Sequence, residues 1–226
     1  MAITLVRSQS ASSATNGTTA SLTISVTPTA GNLLVAIVNN SVANSNGTPT
    51  GWTAGGTATD VSRVSTFWKV SAGNETSVSS TLGGSSAWNV HYMEFTSSLS
   101  GWTTAVTQSA TTIQQTATTA MAVASVTPSM PVAVMVATVS YTGTLGTPSW
   151  SNSYVAVAST ASTGTVCTLQ TAYKIVTAGG AQTTTDTNTV SAAYVAVNSA
   201  SIEPSQLPIG WRPAIRMQAV TRSTVW

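Results

Sequence analysis

The chain has 226 residues, of which 42% are hydrophobic and only 5% charged, with a formal net charge of +2. An ordinary soluble domain carries about 25% charge, so the body has almost no field with which to steer an acidic or basic partner. The single cysteine, Cys167, rules out an intrachain disulfide framework, and no apolar run approaches the ~20 residues of a membrane-spanning helix.

The opening Met1-Ala2-Ile3-Thr4-Leu5-Val6-Arg7 lacks the basic start and apolar stretch of a secretory leader. This predicts a protein made and assembled in a reducing cytoplasm. Leu22, Ile24 and Val26 then alternate with Thr23 and Ser25, the period of a half-buried strand. Leu33 to Val38 is continuously apolar and reads as a central strand buried on both faces. Turn signals follow at Asn46-Gly47 and Gly55-Gly56, with Gly47-Thr48-Pro49 shortly before Trp52. Val64, Thr66, Trp68 and Val70 alternate again, then Gly73-Asn74 turns the chain. Trp88 to Phe95 forms the next strand, and the small-residue stretch Ser97-Ser98-Leu99-Ser100-Gly101 reads as a border.

Beyond that border the pattern returns. Val26-Thr27-Pro28 reappears as Val126-Thr127-Pro128, again ahead of an apolar run, Val132 to Val139. Gly47-Thr48-Pro49 with Trp52 reappears as Gly146-Thr147-Pro148 with Trp150. Phe67-Trp68-Lys69-Val70-Ser71-Ala72-Gly73 reappears as Ala172-Tyr173-Lys174-Ile175-Val176-Thr177-Ala178-Gly179. Matched positions lie roughly 100 residues apart with constant order, which indicates a duplicated domain; solenoid repeats are only ~20–50 residues long. The expected fold is all-β: two tandem antiparallel β-sandwich domains, jelly-roll or immunoglobulin-like, over residues 1–100 and 101–202, each of about seven or eight strands. The linker is short, so the two should pack end to end or side by side. Residues 203–226 differ in kind, with Pro204, Pro208 and Pro213 closely spaced. Proline at that density excludes helix and central strand and predicts an extended arm. The arm also holds the chain's whole net charge, Arg212, Arg216 and Arg222 against Glu203. Trp211, Arg212, Arg216, Arg222 and Trp226 are its candidate protein-binding residues. Three arginines are too few for a nucleic-acid surface.

Chemistry-bearing groups are scarce. The one histidine, His91, shares a strand face with Asn89, Met93 and Phe95 and reads as a hydrogen-bonded packing residue. No Gly-x-Ser-x-Gly elbow marks a nucleophile. Asp60 with Glu94 is the one carboxylate pair within a half that would suit glycoside hydrolysis. One histidine and one distant cysteine give no zinc spacing, and no acidic calcium loop or phosphate-binding glycine motif occurs. No catalytic, metal or cofactor site is therefore expected. Trp52 and Trp150 either plug the ends of their sandwiches or offer stacking faces to a sugar.

Four segments carry a family resemblance: Val26-Thr27-Pro28-Thr29-Ala30-Gly31-Asn32-Leu33-Leu34-Val35-Ala36, Thr48-Pro49-Thr50-Gly51-Trp52-Thr53, Phe67 through Thr76, and Trp88 through Phe95. Together they resemble a β-sandwich module of tailed-bacteriophage virion proteins, of minor tail or head-decoration type. The likeness covers residues 20–96 and continues more loosely in the second half. It implies a structural virion protein without catalytic residues, located in the particle and bound to other capsid or tail subunits. Such a protein would be a homo-oligomer with no membrane or nucleic-acid partner. A carbohydrate- or receptor-binding module of a tail fibre, facing cell-surface glycan, is the alternative.

Overall fold

A computed structural model of the chain describes residues 3–60, 62–97, 102, 108–128, 133–141, 146–161, 167–177 and 179–201. The described residues are all-β, with no helix. The strands are β1 (Ile3–Thr23), β2 (Leu33–Asn40), β3 (Thr53–Thr59), β4 (Arg63–Val70), β5 (Ser77–Ser97), β6 (Gln108–Val126), β7 (Ala133–Tyr141), β8 (Ser149–Trp150), β9 (Val155–Ala161), β10 (Thr168–Val176) and β11 (Gln182–Ser201). They form two antiparallel sheets. The first runs β1-β5-β2-β4-β3; the second runs β6-β11-β7-β10-β9, with β8 also paired to β11. The strand order of one half is thus reproduced in the other.

Each half contributes one sheet, where the sequence suggested seven or eight strands in two layers. The reason lies in four long strands. β1 and β5 run 21 residues each, and their pairing slips between Ser13 and Gly17 and again between Gly17 and Thr19. Such bulges bend a ribbon. Its far end folds across its own sheet, so one strand serves two layers. Ala20, Leu22 and Ile24 of the returning ribbon, with Val78 and Leu82, pack on Leu34, Ala36, Val38, Phe67, Val90 and Tyr92. The second half repeats the device with β6 and β11, which slip between Thr187 and Tyr194. There Met121 and Val123 cover Met135, Ala137, Val139 and Tyr141.

The opposite faces of the two sheets pack against one another. Alternation along β2 sends Leu34, Ala36 and Val38 under the ribbon and Leu33, Val35 and Ile37 toward the second sheet. These meet Val134, Val136, Leu169, Val195 and Val197, with Trp68, Met93, Phe95 and Trp102 in the same core. Both faces of β2 are therefore buried, which is why Leu33 to Val38 reads as a continuous apolar run. Full burial of one Val, Leu or Ile is worth roughly 1.5–3 kcal/mol, so this shared core ties the halves face to face, not end to end. Around the rim, β1 lies beside β9 and β3 beside β6. The 98–101 border and the 203–226 arm lie outside the described residues.

Candidate functional site

Three places concentrate polar chemistry: a seam between the sheets, and a matching lysine corner in each half.

The seam continues the shared core where its apolar residues end. Register places Asn39, His91 and Asn89 on the same face as Val35, Ile37 and Met93, because Ile37 pairs with His91 and Asn39 with Asn89. All three are fully buried. Ser140 Oγ donates to Asn39 Oδ1 at 2.8 Å and lies 2.9 Å from Ser62 Oγ. Asn89 Nδ2 donates to the Cys167 carbonyl (3.3 Å) and reaches its Sγ (3.2 Å). His91 is held between Thr171 Oγ1 at Nδ1 and Thr160 Oγ1 at Nε2, both 2.8 Å away. Each hydroxyl can donate or accept, so both nitrogens are satisfied by the neutral ring, with no carboxylate at hand to hold a charged one. Burial pushes its pKa down to about 3. His91 is therefore a hydrogen-bonded packing residue, with a threonine and not a carboxylate at each nitrogen. Asp60 and Glu94 are not brought together. Asp60 follows β3 beyond the Arg63 end of β4, whereas Glu94 aligns through Leu34 with Lys69. Six residues of strand separate Arg63 from Lys69, about 20 Å at ~3.3 Å per residue. Glu94 accepts from the Thr29 amide (2.9 Å) and Asn32 Nδ2 (2.5 Å), and pairs with Arg7 Nε at 2.8 Å.

The first lysine corner sits where β4 leaves its sheet. Lys69 Nζ lies 2.8 Å from Glu75 Oε1. Glu75 also accepts from the Ala72 amide and the Ser71 hydroxyl, each at 2.8 Å. Burial raises the Glu75 pKa, but Lys69 and these donors outweigh it and hold the carboxyl at about 2. The Pro49–Trp52 turn passes over this pair, closed by the Trp52 amide donating to the Pro49 carbonyl (3.0 Å). Its Gly51 has a φ of 77°, and a Cβ there would sit 3.8 Å from Lys69 Nζ.

The second corner keeps the lysine and changes its surroundings. Lys174 Nζ stands 5.8 Å above the Tyr154 ring. The overlying turn is Ser151–Tyr154, closed by the Tyr154 amide donating to the Ser151 carbonyl (3.2 Å). Asn152, Ser153, Lys174, Ala181, Gln182 and Thr183 line an open cavity of about 410 Å³.

Trp52 and Trp150 are half-buried, each packed against the core under its own ribbon. Neither is fully buried. Trp211, Arg212, Arg216, Arg222 and Trp226 lie outside the described residues. Sequence reasoning missed the seam, Lys69–Glu75 pairing and Asp186. Asp186 is fully buried on β11 opposite Trp150, and burial pushes its carboxyl up to about 6 against a smaller lowering by the Ser149 backbone. Among the described residues, no group of three or more His, Cys, Asp or Glu side chains could hold a metal ion. No helix there is long and apolar enough to cross a membrane.

Comparison with protein-family models, with curated proteins and with solved structures finds no match for this chain.

Proposed function

We propose that this chain is a non-enzymatic structural protein of a tailed-phage virion, a capsid decoration (cement) or accessory tail protein. Each half then acts as a tandem sandwich unit, its sheet and returning ribbon forming the two layers. The observation that supports the reading most is the pair of long outer strands. β1 and β6 stand at the ends of their sheets, 21 and 19 residues long, each paired along one side in its sheet. A long strand edge is a template for pairing with a neighbouring subunit. Serine, threonine and alanine dominate both strands, so contacts there would depend on backbone pairing and close approach more than on charge. The two sheets, locked by a shared core and a hydrogen-bonded seam, suit a load-bearing block. Residues 203–226, with Trp211, Arg212, Arg216, Arg222 and Trp226, are the proposed attachment to other virion subunits. The test is incorporation into particles of the full chain against one lacking residues 203–226. Loss of the truncated chain from particles, with its fold intact by circular dichroism, is expected. Equal incorporation would overturn the anchoring role.

The second reading is a carbohydrate- or receptor-binding module of a tail fibre. The observation favouring it is that Trp52 and Trp150 are each only half-buried, near the turns that lead into β3 and β9.

A further inference from the structure

The two lysine corners are copies that have diverged in one respect, and the divergence has a direction. Lys69 and Lys174 occupy the same place on β4 and β10, register partners of Leu34 and Met135. Each lies near a tight turn that follows a Gly-Thr-Pro sequence. In the first half Glu75 neutralises the lysine at 2.8 Å. Ala72-Gly73-Asn74-Glu75 is replaced in the second half by Ala178-Gly179-Gly180-Ala181, so Ala181 stands where the carboxylate was. Among the described residues, Lys174 has no carboxylate within ion-pair distance. Its ammonium is instead held against the Tyr154 ring, which attracts a cation without neutralising it.

The turn has changed in the same sense. Gly51 presents no side chain to Lys69, whereas Asn152 and Ser153 line the same cavity as Lys174. Both adopt left-handed backbone, with φ of 56° and 61°. Asparagine visits that region readily, but serine does so at a cost, and glycine is the usual residue there. Strained backbone of this kind clusters at ligand sites. Asn152 Nδ2 is engaged by the Thr183 carbonyl at 2.8 Å, which fixes the amide with its Oδ1 left as an acceptor. The cavity is open, with a volume of about 410 Å³. Its lining combines one cation with amides and hydroxyls.

We infer that the Lys174 corner binds an acidic saccharide: a carboxylate on Lys174 Nζ, with sugar hydroxyls on Ser153 and Asn152. The site does not use Trp52 or Trp150 as a stacking face and does not depend on the virion reading. The experiment is a titration of the isotopically labelled full chain with sodium glucuronate, followed by amide NMR. Glucose and sodium acetate at the same concentrations are the comparison probes. Saturable shifts at Ser153, Gln182 and Thr183 with glucuronate, at least fivefold tighter than with either comparison probe, are expected. Lys174→Met should abolish them, and Ala181→Glu should do the same by restoring the carboxylate of the first half. Lys69→Met should leave them unchanged. No saturable shift with glucuronate up to tens of millimolar overturns the proposal. So does glucose binding equal to glucuronate, or acetate binding equal to it, since a neutral sugar or a bare ion would then suffice. Unaltered binding by Lys174→Met overturns it too.

Discussion

The clearest quantitative expectation concerns two buried groups whose proton linkages oppose each other. His91 is neutral in the folded chain, with a pKa near 3 against 6.5 in the unfolded chain. As pH falls below about 6.5, the unfolded state takes up a proton that the folded state refuses. Stability then drops by about 1.4 kcal/mol per pH unit until the folded pKa is reached. Asp186 acts in the other direction. Its carboxyl holds a proton up to about pH 6 when folded and releases it near 3.8 when unfolded. Between these values acid favours the folded state at the same slope. From pH 6 to 4.5 the two contributions nearly cancel. Asp186→Asn removes one of them and should expose the His91 slope, a loss of about 2 kcal/mol across that window. His91→Gln should expose the opposite slope, with stability rising as pH falls. Urea unfolding at half-unit pH steps, with all variants in the same buffers, measures this directly. Staying above pH 4.5 keeps Glu75 out of the comparison. An Asp186→Asn chain with the flat profile of the parent would refute the reasoning, because it would mean that His91 is not held neutral in the seam.

Three further substitutions test separate parts of the fold. A Cβ at Gly56 would lie 2.6 Å from Val197 Cγ1 and 2.8 Å from Ser109 Cβ across the sandwich, so Gly56→Ala should cost ~1–3 kcal/mol in urea unfolding by overpacking. Ser140→Ala strips Asn39 Oδ1 of its donor within the buried seam and should cost ~1–3 kcal/mol. Glu75, held at about 2, contributes stability that is present above pH 4.5 and lost as pH falls toward 2. Glu75→Gln should therefore cost ~1–2 kcal/mol at pH 7, allowing for solvent screening at the partly exposed Lys69, and much less at pH 3. Equal losses at both pH values would show that the carboxylate charge is not what matters there.

Much of the strand skeleton was legible because both faces of a central strand leave a visible mark. Leu33 to Val38 reads as doubly buried and is so; Val64 to Val70 and Leu169 to Ile175 alternate in sequence, but Val64 to Trp68 and Leu169 to Ala172 are buried on both faces, because each sheet is covered by its ribbon on one side and by the other sheet on the other. The layering was not legible. A strand of 21 residues that bends at Gly17 and changes layers has no periodic signature beyond alternation, and Ser13 to Gly17 looks like an ordinary polar turn. Each half was therefore expected to hold more, shorter strands. The seam was hidden for a related reason. Asn39 and Asn89 resemble strand-end polar residues, and their burial depends on a partner sheet roughly 100 residues away in sequence. The signal that was available is the face shared by Asn89, His91 and Met93, which mixes polar and apolar groups where a solvated face would be polar throughout. The lysine corners were visible as a repeated lysine beside an aromatic. The pairing of Lys69 with Glu75 was not, because it depends on how the chain turns after β4.

The structural role is tested most directly by quantitative mass spectrometry of purified phage particles, with the position of the chain fixed by particle imaging. The chain is expected in the particle at a copy number set by capsid or tail symmetry, contacting neighbouring subunits. Its absence from purified particles, with the protein present free in the lysate, would contradict the account.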